Sequence, residues 1–138
     1  ASVFMADQFI KYVDFFSIGT NDLSQYTLAV DRGNENINNL YNNFNPAVLR
    51  AIKHVIDQSH KAGKWTGMCG QFASDTEATK LLLGLGLDEF SASSSKVAEV
   101  KDTILKSNLK EEEEFSNSLL ELETVEEIEE KIKNHNNM

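Results

Sequence analysis

Apolar and polar positions alternate along this chain in a rhythm that changes period several times. Val3, Phe4, Phe9 and Ile10 line one side of a helix predicted over residues 1–12. Asp14 to Thr20 follows as a short aromatic and β-branched run closed by Gly19, the pattern of a buried strand. Asn21-Asp22 sits at its tip, and Asp22 is placed to cap helical turns from Leu23 to Val30. Asp31-Arg32-Gly33 breaks that helix. Most residues from Asn34 to Asn45 are asparagine, yet Ile37, Leu40, Tyr41 and Phe44 recur at i, i+3, i+4 and i+7. That spacing predicts an ordered, partly helical connection with one apolar face, despite poor helix formers.

The second half repeats the alternation. Asn45-Pro46 is a cap followed by proline at the first helical position, and the helix should stop at Gly63. Val48, Ile52, Val55 and Ile56 form its buried face. Lys64 to Cys69 is a second strand. A cap at Ser74 starts a helix through Ala78, Leu81 and Leu82 to Gly84-Leu85-Gly86. Leu87 to Ser93 is a third strand, and a helix to Lys106 carries Val97, Val100 and Ile104 on one face. Beyond it, Lys110 to Glu114 reads as a solvated charge run. Phe115, Leu119 and Leu122 at helical spacing, then a Thr124–Glu127 capping box before Val125, Ile128 and Ile132, predict a helical hairpin packed on the domain. Residues 134–138 should fray.

A helix, three strand–helix units and two more helices define an α/β chain whose strands run parallel, joined by right-handed crossovers. Striped helices should cover one face of the sheet. Three strands leave an open edge on each side, and Phe15, Phe16 and Trp65 there suggest self-association. A closed (β/α)₈ barrel takes about 250 residues, so 138 residues cannot form one. The chain starts at Ala1 and reads as cut from a longer protein.

Composition narrows the function classes. A net charge of −9 argues against nucleic acid and anionic membrane surfaces as partners. No stretch is apolar enough to span a bilayer, and residues 1–6 lack the features of a signal peptide. The single cysteine cannot form an internal disulfide, which fits a reducing, cytoplasmic compartment. His54 and His60 do not share a helix face, and no histidine spacing suits a metal. They read as surface residues.

Chemistry-bearing residues gather at strand tips: Asn21 and Asp22, Cys69 and Gln71, Ser91 and Ser93. In parallel α/β folds these carboxyl ends are where ligands bind. Asp22 suits Mg²⁺ as a hard oxygen ligand. Arg32, one short helix further on, can fold back over the site, and its planar fork fits phosphate or carboxylate. A free thiol with an ordinary pKa of about 8.5 is mostly protonated at pH 7 and can donate its proton. Together these features point to phosphoryl chemistry on a small anion. Separately, each has a plain structural role: helix cap, surface charge, core filler.

Three stretches carry a specific resemblance: DFFSIGTNDLSQYTLAVDR from Asp14 to Arg32, GMCGQ from Gly67 to Gln71, and GLGLDEFS from Gly84 to Ser91. They resemble the signatures of the phosphoenolpyruvate (PEP)-utilising enzymes. Leu40-Tyr41, the run from Asn45 to Arg50 and the acidic tail resemble the enzyme I branch of the bacterial sugar phosphotransferase system. They fit the PEP synthase and pyruvate phosphate dikinase branches less well.

The resemblance covers nearly the whole chain. It implies the PEP-binding (β/α)₈ barrel, with residues 1–107 as its last three strand–helix units and 108–138 as an acidic helical tail on the same domain. The implied reaction moves the phosphoryl group of PEP to a histidine of another domain and then to the carrier protein HPr, releasing pyruvate, in a homodimeric enzyme. By motif, Asp22 resembles the Mg²⁺ ligand, Asn21 and Arg32 the substrate-anion contacts, and Cys69 the acid that protonates the methylene carbon. None of His54, His60 or His135 matches the phosphohistidine motif, so the isolated chain should be inactive. Gln71 stands where the enzyme I branch usually has Glu, a feature closer to the synthase branch. A non-catalytic half-barrel that dimerises is the rival from another class.

Overall fold

Three parallel strands form the sheet of the computed structural model, which describes residues 1–138. They are β1 (Phe15–Gly19), β2 (Trp65–Cys69) and β3 (Glu89–Ser91), in sequential order. Phe15 pairs with Trp65 and Gly19 with Cys69 across β1–β2. Gly67 pairs with Glu89 and Cys69 with Ser91 across β2–β3. The expected parallel α/β arrangement is therefore present, with both outer strands unpaired on one side. No helix is long and apolar enough to cross a membrane.

Because side chains alternate across a strand, this register sorts them onto two faces. Ile18, Thr66 and Met68 are buried on one face, with Phe16 and Phe90 packed against the core. Phe15, Ser17, Trp65, Cys69, Glu89 and Ser91 point to the other, which no helix covers. Phe15 and Trp65 stack there with ring centroids 4.2 Å apart. Phe16 thus lies on the covered face and is not part of the exposed aromatic patch expected from the sequence.

α3 (Pro46–Lys61) is the main covering helix. Asn45 accepts a hydrogen bond from the Ala47 amide, Pro46 occupies the first turn, and Gly63 turns the chain at φ +70°. Val48, Leu49, Ile52 and Ile56 are fully buried. His60 pairs with Asp88 at 2.7 Å, and the same carboxylate accepts the Thr66 amide, so this surface histidine braces β2.

Several expected elements are shorter or differently built. At the N-terminus only α1 (Ala6–Phe9) is helical. Val3, Ala6 and Ile10, three and four residues apart, face the core, while Phe4 and Phe9 are exposed. The Asn-rich connection is ordered by its side chains, not by a helix face: Asn34 and Asn42 accept amides two residues on, and Asn43 accepts the Ser24 hydroxyl at 2.7 Å. Only Phe44 of its four apolar residues reaches the core; Leu40 is exposed. Ser74 does not cap a helix. Residues 71–74 form a 3₁₀ turn, Ser74 Oγ accepts the Ser93 amide, and α4 begins later, over Thr79–Gly84.

At the C-terminal side, α5 (Val97–Lys106) buries Val100 but leaves Val97 exposed. The hairpin α6 (Leu109–Leu119) and α7 (Val125–Asn136) is present, with the Thr124–Glu127 capping box formed in both directions. The charge run is not wholly solvated. Glu112 is buried at 4% exposure and pairs with His135 at 2.6 Å, while Phe115 stacks on the imidazole. This contact extends α7 to Asn136, whose side-chain amide donates to the Glu77 carbonyl. The predicted fraying therefore gives way to docking. α6 packs closely on α4 at Gly84, where a Cβ would collide with the Glu112 carbonyl and Ser116.

Candidate functional site

The carboxyl ends of the three strands converge on one edge of the sheet. β1 runs directly into α2 (Thr20–Leu28), so Thr20, Asn21 and Asp22 form the first turn of that helix. Gly19, not Asp22, occupies the cap position, and no side chain caps the helix. Asp22 is thus released from the structural role the sequence suggested. Its carboxylate is three-quarters exposed at the helix N-terminus, where negative charge is favoured.

α2 ends at Ala29 in the left-handed conformation, φ +53°. The reversal carries Arg32 back over the first turn, with Nη2 3.9 Å from Asp22 Oδ1. Both side chains are well exposed, so this loose pair adds little stability. A tight Asx turn, Gly33 N to Asp31 Oδ1 at 2.8 Å, fixes the bend behind Arg32.

Cys69 ends β2 on the uncovered face, exposed and in register with Gly19 and Ser91. Gly70 then turns sharply at φ +103°, a conformation that favours glycine. Its backbone sits against Thr20 and Asn21: a Cβ would lie 2.9 Å from Thr20 Oγ1 and 3.4 Å from Asn21 Oδ1. An open groove of about 560 Å³ lies beside this turn, lined by Asn21, Gly70, Gln71, Ser91, Ser93 and Lys96 among others.

The structure therefore brings Asn21, Asp22, Arg32 and Cys69 to one end of the sheet. No three His, Cys, Asp or Glu side chains come together as a ready metal site. Asp22 fits one position of a Mg²⁺ shell, a cation commonly held by one or two carboxylates with water and substrate oxygens. Gln71 opens the 3₁₀ turn and lines the groove. Sequence reasoning missed Thr20, whose buried hydroxyl donates to the Cys69 carbonyl at 3.3 Å. It also missed Lys96 beside the groove. A threonine next to Asn21-Asp22 was legible, but its long-range partner was not.

Parallel strands with helices on one face and polar side chains gathered at their carboxyl edge define the class: a parallel α/β unit with a strand-tip site. The chain belongs to the PEP-utilising enzymes, since the pattern of the PEP-utilising enzyme, PEP-binding domain, matches residues 1–109. It is 56% identical over 128 residues to a phosphoenolpyruvate-protein phosphotransferase of Buchnera aphidicola subsp. Schizaphis graminum. That match covers 93% of this chain and 22% of the relative. The protein of the same name from Haemophilus influenzae is 57% identical over 122 residues, 88% of this chain and 21% of its own length. The Listeria monocytogenes protein is 53% identical over 128 residues, again 93% and 22%. The chain thus spans about a fifth of the length of these relatives.

Proposed function

We propose that this chain is the C-terminal part of the PEP-binding domain of a PEP–protein phosphotransferase of the enzyme I type. The observation that carries the reading is the gathering of Asn21, Asp22, Arg32 and Cys69 at one strand-tip edge. Residues 1–107 are read as the last three strand–helix units of a (β/α)₈ barrel, and 108–138 as a helical tail on the same domain. The uncovered sheet face and the two open strand edges support an incomplete barrel. The names of the relatives favour this branch over a PEP synthase or dikinase, which Gln71 alone supports.

In this reading Arg32 and Asn21 hold the substrate's anionic groups, and Asp22 contributes a ligand to Mg²⁺. The cation would offset negative charge on the transferring phosphoryl group. Arg32 supplies a fixed positive charge from the same side. Cys69 donates its thiol proton to the methylene carbon of the enolate left after phosphoryl loss; a C–H bond forms, the S–H bond breaks, and pyruvate departs, leaving a thiolate. The phosphoryl group passes to a histidine outside this chain and on to HPr, in a cytoplasmic homodimer. The isolated chain, lacking that histidine, is inactive.

Nuclear magnetic resonance titration of the chain with PEP and Mg²⁺ tests the site. The expected result is weak, Mg²⁺-dependent perturbation of the Asn21, Asp22, Arg32 and Gly70 signals, lost in Asp22→Ala and kept in Cys69→Ala. Perturbation confined to another surface, or none at saturating ligand, would overturn the assignment.

A further inference from the structure

We propose that Thr20 is a positioning residue, which locks the tip of β2 carrying Cys69 onto the tip of β1 carrying Asn21 and Asp22. This inference rests on the roles given to those three residues above. Thr20 is fully buried, and its Oγ1 donates to the Cys69 carbonyl at 3.3 Å. The bond joins the ends of two strands whose backbone pairing finishes at Gly19–Cys69. Beyond that last pair the ladder no longer holds the tips together.

The next residue makes the junction interlock. Gly70 at φ +103° swings the chain away so closely past β1 that a side chain there would meet Thr20 Oγ1 and Asn21 Oδ1. Thr20 thus touches both the carbonyl of the thiol-bearing residue and the turn that follows it. On its other side it is continuous with Asn21 and Asp22 in the first turn of α2. A second prop comes from Tyr41, whose hydroxyl lies 3.5 Å from the Asn21 carbonyl.

Holding the strands side by side does not need this hydroxyl, because Ile18 and Met68 are buried between sheet and helices. What the hydroxyl fixes is the tip-to-tip distance. A proton donor and the groups that hold its substrate must keep near-contact geometry, and a displacement of about 1 Å can lower a rate on the order of a hundredfold. Thr20 sits where such a displacement would begin.

The test uses this chain and its single thiol. Thr20→Val keeps the shape and removes the hydroxyl; Thr20→Ser keeps the hydroxyl. The readouts are the rate of Cys69 modification by an aromatic disulfide reagent, the Cys69 carbonyl and Gly70 amide resonances, and the melting temperature. In Thr20→Val the reaction rate of the already exposed thiol should shift from the wild-type value, because the tip that carries it is no longer held. The Cys69 carbonyl resonance should move while Ile18 stays in place, and Thr20→Ser should restore both. A wild-type rate and carbonyl resonance in Thr20→Val would overturn the proposal, as would a Ser variant that behaves like Val. If Thr20→Val does not fold, Thr20→Ala is read by the same criteria. No PEP enters these measurements, so failure of the lock and failure of the PEP site are read separately.

Discussion

Glu112 sits in a run of four glutamates that sequence periodicity assigns to solvent, yet it is buried against His135. A buried carboxylate that loses its hydrogen-bond partner keeps the full cost of its desolvation. His135→Ala, which also removes the stack on Phe115, should therefore lower unfolding stability by about 3 kcal/mol in denaturant titration. Glu112→Gln, which keeps a hydrogen-bonding partner for the imidazole, should lower it less. Equal losses in both variants would show that the charge is irrelevant.

Gly84 makes a second residue-scale case. Its missing Cβ lets α4 and α6 meet, and Ser116 fastens the contact by donating to the Leu81 carbonyl at 2.9 Å. Gly84→Ala improves helix propensity but cannot fit without separating the helices. A loss of about 1–3 kcal/mol is expected, against a gain had the helix been isolated.

Among elements, α7 shows how local chemistry sets a helix start. Thr124 accepts the Glu127 amide, and the Glu127 carboxylate accepts in return from the Thr124 hydroxyl and the Glu123 and Thr124 amides. The Thr124 hydroxyl first, then the two amides, hold the Glu127 carboxyl below the usual carboxylate range. A depressed value in the folded state means the stabilisation is complete above the unfolded pKa and is lost as pH falls through the folded one. Carboxyl-carbon titration should show Glu127 titrating below the usual glutamate range, and Thr124→Ala should shift it upward. The α7 amides should lose exchange protection over the same acidic range.

The elements also show what was legible. Asn45, Pro46 and Gly63 bound α3 as read, since a cap, a proline and a left-handed glycine act on their own neighbours. Asp22 and Ser74 carry the same kind of signal and cap nothing. Asp22 falls inside α2 because β1 feeds into the helix without a loop, and Ser74 is taken by the Ser93 amide across the strand tips. A capping side chain offers one oxygen, and tertiary contacts decide who receives it.

At the scale of the whole molecule, the two faces of the sheet differ in what a mutation removes. Leu82 is fully buried between α4 and its neighbours, so Leu82→Ala should cost about 2–5 kcal/mol. Trp65, a larger side chain, stacks on Phe15 on the uncovered face and is 41% exposed. Trp65→Ala should lose the stack on Phe15, worth about 0.5–1.5 kcal/mol, and the burial of part of the indole, but it opens no enclosed cavity. Thermal and denaturant unfolding of the two variants checks the contrast. Comparable losses would mean that the aromatic face is covered in solution.

The order of strands and helices, the α3 and α7 starts, the parallel reading and the family could all be read from the amino-acid order, because each rests on short-range patterns or contiguous motifs. Folding in three dimensions was needed to show that Thr20 reaches the Cys69 carbonyl and that His135 covers Glu112. Those pairs are separated by 49 and 23 residues. No local periodicity encodes such meetings; they follow from which faces the helices and strands bury against one another.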